Sequence, residues 1–217
     1  MKKRVFAIIL CISMICCLCA CDAGSKDEIT VDAATGQEML NSASSLSMHC
    51  HGNSVNKRCN LVVDNQSVGM LQESGFFDAH WNISAGGEDW FYAKFVTGEW
   101  INDVEGVISA TTYGLYDVND NCLGYCQERV VDGEYKYAFL NADGTERGFY
   151  MDDEGSMVYT SDGTIVATAN YAIDSYTAAT YDVYIMPSGG TELSAMDKLM
   201  IFIRVERAAD DVVDRRN

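Results

Sequence analysis

From about residue 47 to residue 186 the chain alternates short β-prone runs with turn residues. Leu61-Val62-Val63 runs into Asp64-Asn65-Gln66, and Asp89-Trp90-Phe91-Tyr92-Ala93-Lys94-Phe95-Val96 is rich in residues that suit a pleated, half-buried surface. Gly106 to Leu115 reads as a further strand. Three segments then repeat one device: strand, Asp-containing turn, returning strand. They are Leu115-Tyr116-Asp117-Val118-Asn119-Asp120-Asn121-Cys122-Leu123-Gly124, Phe139-Leu140-Asn141-Ala142-Asp143-Gly144-Thr145-Glu146-Arg147-Gly148 and Val158-Tyr159-Thr160-Ser161-Asp162-Gly163-Thr164-Ile165-Val166-Ala167. Leu61 to Gly69 is a fainter copy. Asp-Gly between β-prone flanks is a strong short-range hairpin signal. Hairpins in series predict a mainly β, antiparallel meander, closed into a barrel or, alternatively, folded as a β-sandwich.

The two ends break this pattern. Lys2, Lys3 and Arg4 precede an apolar run from Val5 to Leu18, too short to span a bilayer. Residues 22 to about 36 are small and polar and read as a spacer. Gln37 to Leu46 has some helical character, weakened by Ser42, Ser44 and Ser45, and equally suits the approach to a first strand. At the other end, Asp182 to Met186 reads as a strand and Pro187 to Gly190 as a turn. Thr191 to Arg207 then predicts a helix. Its middle, Leu199 to Ile203, is five consecutive apolar residues, where a surface helix shows only a stripe. With Met196, the residues Leu199, Met200, Ile201, Phe202 and Ile203 are therefore expected to form a core helix buried on every side. The second possibility is a final buried strand, which Ile201, Phe202, Ile203 and Val205 also suit. Asp210 to Asn217 forms a charged tail.

Leu18-Cys19-Ala20-Cys21 closes the N-terminal apolar run and resembles a bacterial lipobox, with Leu at −3, Ala at −1 and Cys at +1. That resemblance implies cleavage after residue 20 and diacylation of Cys21, since two acyl chains anchor stably where one does not. An ordinary cleaved signal or an uncleaved anchor are the other possibilities. The expected organisation is a signal peptide over 1–20, lipidated Cys and spacer over 21–46, a β domain over 47–209 and the tail over 210–217. The expected location is the extracytoplasmic face of a bacterial cell membrane, with the membrane engaged through the lipid.

Charge narrows the partners. The formal net charge is −17, and about −20 once Lys2, Lys3 and Arg4 leave with the signal. Nucleic acid and anionic headgroups need clustered Lys and Arg, so neither is an expected partner. With 12 Tyr, 8 Phe and 3 Trp, most of the chain is able to bury a core.

Of nine Cys, four lie in the signal and Cys21 takes lipid. Cys50, Cys59, Cys122 and Cys126 remain, an even number that suggests disulfides outside the cytoplasm. Local pairing, Cys50–Cys59 and Cys122–Cys126, is the simplest of three connectivities; free thiols and a metal site built on His49-Cys50-His51 are the other options. Asp117-x-Asn119-x-Asn121 and Asn141-x-Asp143-x-Thr145 place oxygens at alternate positions, but the sixth-position Gly and twelfth-position Glu of a calcium loop are not both present, and turn chemistry explains these residues. No cofactor and no metal are expected. No Gly-x-Ser-x-Gly elbow or Gly-rich phosphate loop occurs, and no residues are assigned a catalytic role. His80 and the many carboxylates keep a hydrolase as an alternative. Trp81, Trp90 and Trp100 suit either the core or stacking on sugars.

Serial strand–Asp-x-x-Gly–strand hairpins leading to one all-round apolar terminal helix resemble the tubby C-terminal-like fold, in its LURP-one-related and phospholipid-scramblase-like branch. The matching residues are those of the three hairpins together with Thr180-Tyr181-Asp182-Val183-Tyr184-Ile185 and Met196 to Glu206. The resemblance covers about 110–210, and 55–110 loosely. It implies a 12-stranded antiparallel barrel closed around a C-terminal helix. The basic phosphoinositide-binding surface common in that family is absent from this acidic chain, so phosphoinositide binding and scrambling are not implied. The functional expectation is a lipid-anchored, non-catalytic binding or structural module whose protein, glycan or small-molecule ligand is unspecified; a hydrolase or a metal- or solute-capturing lipoprotein is the alternative.

Overall fold

A computed structural model describes residues 28–51, 57–74, 80–96, 107–131, 133–175, 178–185 and 193–214. The chain is mainly β. Helix α1 (Ala33–Ser42) precedes strands β1 (Ser45–His51), β2 (Arg58–Val63), β3 (Gln66–Ser74), β4 (His80–Ala85), β5 (Glu88–Phe95) and β6 (Val107–Asp117). Strands β7 (Cys122–Val131), β8 (Glu134–Asn141), β9 (Glu146–Asp152), β10 (Met157–Thr160), β11 (Ile165–Ser175) and β12 (Ala178–Ile185) follow, and helix α2 (Ala195–Asp214) ends the described chain.

All strands join one antiparallel sheet, each pairing with the next in sequence. Strand β1 pairs with β2 on one side and with β12 on the other, so no described strand is a free edge. A sandwich needs two sheets and does not describe this ladder.

Turn chemistry explains why the hairpins fold where they do. Asp64 and Asn65 both take positive φ, 52° and 63°, the two-residue turn geometry that matches strand twist. The three repeated segments form the β6–β7, β8–β9 and β10–β11 hairpins. In each, an Asp carboxylate accepts backbone N–H groups of its own turn: Asp117 from Asn119 and Asn121, Asp143 from Thr145, Asp162 from Thr164. Side-chain bonds from Asn121, Thr145 and Thr160, together with these backbone bonds, favour the ionised form and hold all three carboxyls below their ordinary pKa. The β6–β7 pair carries a bulge: Leu115 faces Gly124 and Tyr116 faces Cys122, leaving Leu123 as the extra residue.

Helix α1 begins inside the stretch read as small and polar spacer and runs through residues 37–42, where some helical character is expected. Asp32 caps it, accepting the Thr35 N–H at 2.8 Å. Its placement depends on Gly36: a Cβ there would meet Val68 O at 2.7 Å and Gly86 N at 2.9 Å. Thr35 and Gly36 are poor helix formers, so close packing on β3 and the β4–β5 turn, not propensity, fixes this helix.

The C-terminal segment is a helix, not a final strand. It begins at Ala195 rather than Thr191 and runs through residues assigned to the tail. Ser194 and Asp197 form its capping box: Asp197 Oδ2 accepts from Ser194 N at 2.8 Å and Ser194 Oγ at 2.7 Å, and Asp197 N donates to Ser194 Oγ at 3.3 Å. Leu199, Met200, Ile201, Phe202 and Ile203, with Ala195 and Val205, are all 2 % exposed or less. Successive helical residues turn by about 100°, so five buried in a row put protein on every side of the helix. The neighbours bear this out. Met196 lies beside Gly124 of β7, Arg204 over Tyr137 of β8, and Asp197 against Arg147 of β9, while α2 also packs on β11, β12 and α1.

Candidate functional site

Cys21 and Trp100 lie outside the described residues. Cys50 and Cys59 face each other across β1 and β2 and form a disulfide. Cys122 and Cys126 are free thiols, which corrects the expected second bridge. Four residues along one extended strand put their Cα atoms about 13 Å apart, and a disulfide closes over less than about 7 Å. Cys126 is buried in the core, and burial pushes its thiol pKa up to about 12 against the opposing pull of Arg204. The His49-Cys50-His51 set is not assembled: Cys50 points into the core and is oxidised, while alternation sends both histidines to the other face. Among the described residues, no group of three or more His, Cys, Asp or Glu is placed to hold a metal ion.

Trp81 is a core residue, packed edge-on against Phe95 and Tyr113. Trp90 stacks on Phe91 and packs partly against the core. His80 is brought to Ser74, its cross-strand neighbour, with Ser74 Oγ and His80 Nε2 2.7 Å apart. Its neighbour on β5 is Lys94.

The polar groups around α2 serve its placement. Lys198 Nζ donates to the carbonyls of Leu40 at 3.1 Å, Ala43 at 2.8 Å and Asn41, satisfying groups left over at the end of α1. Asn41 Oδ1 accepts the Ala195 N–H at 3.2 Å, so the end of α1 and the start of α2 cap each other. Arg147 donates to Asp197 at 3.0 Å. Burial raises the Asp197 pKa despite the Ser194 hydrogen bond and the nearby Arg147 and Lys198 charges. Further along α2, Arg204 donates to Asp153 O at 2.7 Å and lies 4.1 Å over the Tyr137 ring.

The chemistry-rich surface is the outer face of β5–β10, and sequence reasoning missed it. The core residues Ala93, Tyr113, Leu115, Cys126, Tyr137, Phe139, Met151 and Val158 fix which face points inward. The alternate positions carry five half-exposed tyrosines. Tyr92 pairs with Tyr116, Gly114 with Tyr125, Tyr125 with Leu140, Ala138 with Tyr150 and Tyr150 with Tyr159. The rings therefore form a diagonal stripe on β5, β6, β7, β9 and β10, stepping two residues at β6–β7 and again at β8, which carries Leu140 and Ala138 on that face instead of a ring. At about 4.8 Å per strand its width is about 24 Å. Tyr92 and Tyr116 stack at 5.2 Å, and Tyr150 and Tyr159 at 6.2 Å. Lys94 Nζ lies 4.7 Å from the Tyr116 ring centre and Lys136 Nζ 5.7 Å from that of Tyr159. Carboxylates orient the rings: Tyr92 donates to Asp120, and Tyr150 to Glu146 at 2.5 Å. These bonds, more than burial, push both phenol pKa values up to about 12. Arg129 bonds Gln127 at 2.9 Å and pairs with Glu146, tying the middle of the face together.

No family model matches the chain, and neither a curated protein nor a solved structure matches it.

Proposed function

We propose that this chain is an extracytoplasmic lipoprotein, anchored through Cys21, whose β domain is a non-catalytic binding module. In this reading the described ladder is a barrel of the tubby-like kind with α2 filling its lumen. The observation that carries it is the burial of every residue from Leu199 to Ile203, which fills with apolar side chains the space where a β-barrel enzyme keeps a pocket. Asp197, Lys198 and Arg204 of α2 are engaged in capping and packing, and the clustered aromatic and charged groups stand on the outer face.

Intact mass of protein extracted from membranes tests the anchor. The expected species begins at Cys21 and carries a diacylglyceryl increment, and Cys21→Ser releases the protein into the soluble fraction. A full-length or unmodified mass would overturn the anchor.

One observation favours a second reading. The Ser74–His80 hydrogen bond is the contact a hydrolase nucleophile needs. Ester hydrolysis by the purified chain that disappears in Ser74→Ala would establish it, while equal rates in the two proteins refute it.

A further inference from the structure

We infer that the tyrosine stripe Tyr92–Tyr116–Tyr125–Tyr150–Tyr159 is a platform for a neutral polysaccharide laid diagonally across the outer face of β5–β10. The inference rests on reading the domain as a binding module and names what it binds. Three features select the occupant. First, sugar rings have apolar C–H faces and polar edges, and tyrosine offers the matching combination, a ring face with a hydroxyl at its rim. The stripe repeats this on five of six consecutive strands, so it suits a polymer rather than one small molecule. Second, the rings are held before any ligand arrives, by stacking between Tyr92 and Tyr116 and between Tyr150 and Tyr159, and by the Asp120 and Glu146 carboxylates. Little ordering then opposes binding. Third, charge decides between polymers. Asp120 and Glu146 border the rings, Lys94 and Lys136 are engaged over tyrosines, Arg129 is paired with Glu146, and the chain as a whole carries −17. An acidic polymer meets repulsion there, while a neutral one offers hydroxyls that donate to those carboxylates.

Native gel electrophoresis of the purified full chain in detergent tests this, with mannan, dextran, arabinoxylan or a soluble β-glucan cast in the gel, beside polygalacturonate. The expected result is retardation by at least one neutral polymer and none by polygalacturonate. Tyr116→Ala and Tyr159→Ala each weaken retention roughly tenfold, while Tyr116→Phe keeps the ring and the retention. Unchanged mobility in every neutral gel overturns the inference, as does retention that survives both alanine substitutions or retention by polygalacturonate alone. Mass spectrometry on the same preparation keeps the two claims apart. A correctly lipidated chain that binds no neutral polymer removes the stripe and leaves the anchor; an unlipidated chain that binds does the reverse.

Discussion

Replacing Leu199, Met200, Ile201, Phe202 and Ile203 one at a time by Ala separates an enclosed helix from one lying on a sheet. All five side chains are at most 2 % exposed, and together they cover the full circumference of α2. Truncating a buried Leu, Ile or Met costs about 2–5 kcal/mol, and a buried Phe about 3–5 kcal/mol, through lost transfer energy and the cavity left behind. Every one of the five variants is therefore expected to lose at least about 2 kcal/mol. A helix that buries only a stripe gives another profile: one or two of five consecutive positions face water, and substitution there changes stability by less than about 0.5 kcal/mol. Urea titration read by tryptophan fluorescence, to which the fully buried Trp81 contributes, measures the difference, as a shifted midpoint at unchanged slope. A domain of this size has about 5–15 kcal/mol in total, so some variants will be largely unfolded. Ile201→Val and Ile203→Val, at about 0.5–1.5 kcal/mol each, keep the comparison measurable. Two positions among the five that tolerate alanine without loss would refute the reasoning.

The interface between the helices gives a second expectation: Lys198→Met leaves the carbonyls of Leu40, Asn41 and Ala43 without their donor and costs about 1–3 kcal/mol in the same titration. A more stable variant would show that desolvation of the ammonium, which lowers the Lys198 pKa, outweighs its bonds. The Cys50–Cys59 bridge closes a short loop, with a sequence separation of 9, and its loss in the Cys50→Ala/Cys59→Ala protein is expected to cost about 3 kcal/mol by the loop-entropy estimate. Equal midpoints would contradict that. Asp197 sets a pH dependence: its folded pKa lies above 3.8, so its contribution is complete below that value and is lost as pH rises through the folded pKa. The stability advantage of the native chain over Asp197→Asn should therefore shrink as pH rises from 3 to 7; an advantage that grows would mean that Arg147 outweighs burial.

What the sequence made legible was local. Asp64-Asn65, Asp143-Gly144 and Asp162-Gly163 announce their hairpins because the φ values and side-chain bonds of a turn belong to its own residues. The all-round burial of Leu199–Ile203 was equally readable, since five apolar residues in a row leave a helix no polar face. What failed was non-local. Helix α1 is held by the contact of Gly36 with Val68 and Gly86, which no window over residues 33–42 contains. The Cys122–Cys126 bridge looked simple in sequence, and strand geometry forbids it. The tyrosine stripe was invisible because Tyr116, Tyr125 and Tyr150 come onto one diagonal only through the register of four strands, bulge included. The sequence offered Trp as sugar-stacking candidates, and the fold spends Trp81 on the core.

Hydrogen exchange of the Leu199–Ile203 amides under native conditions addresses the enclosure of α2 most directly. If the helix is surrounded by the ladder, these amides cannot open without the strands parting, and their exchange free energy equals the global unfolding free energy from urea. Exchange several kcal/mol below that value, with the strand amides still protected, would place α2 outside the sheet and contradict the account.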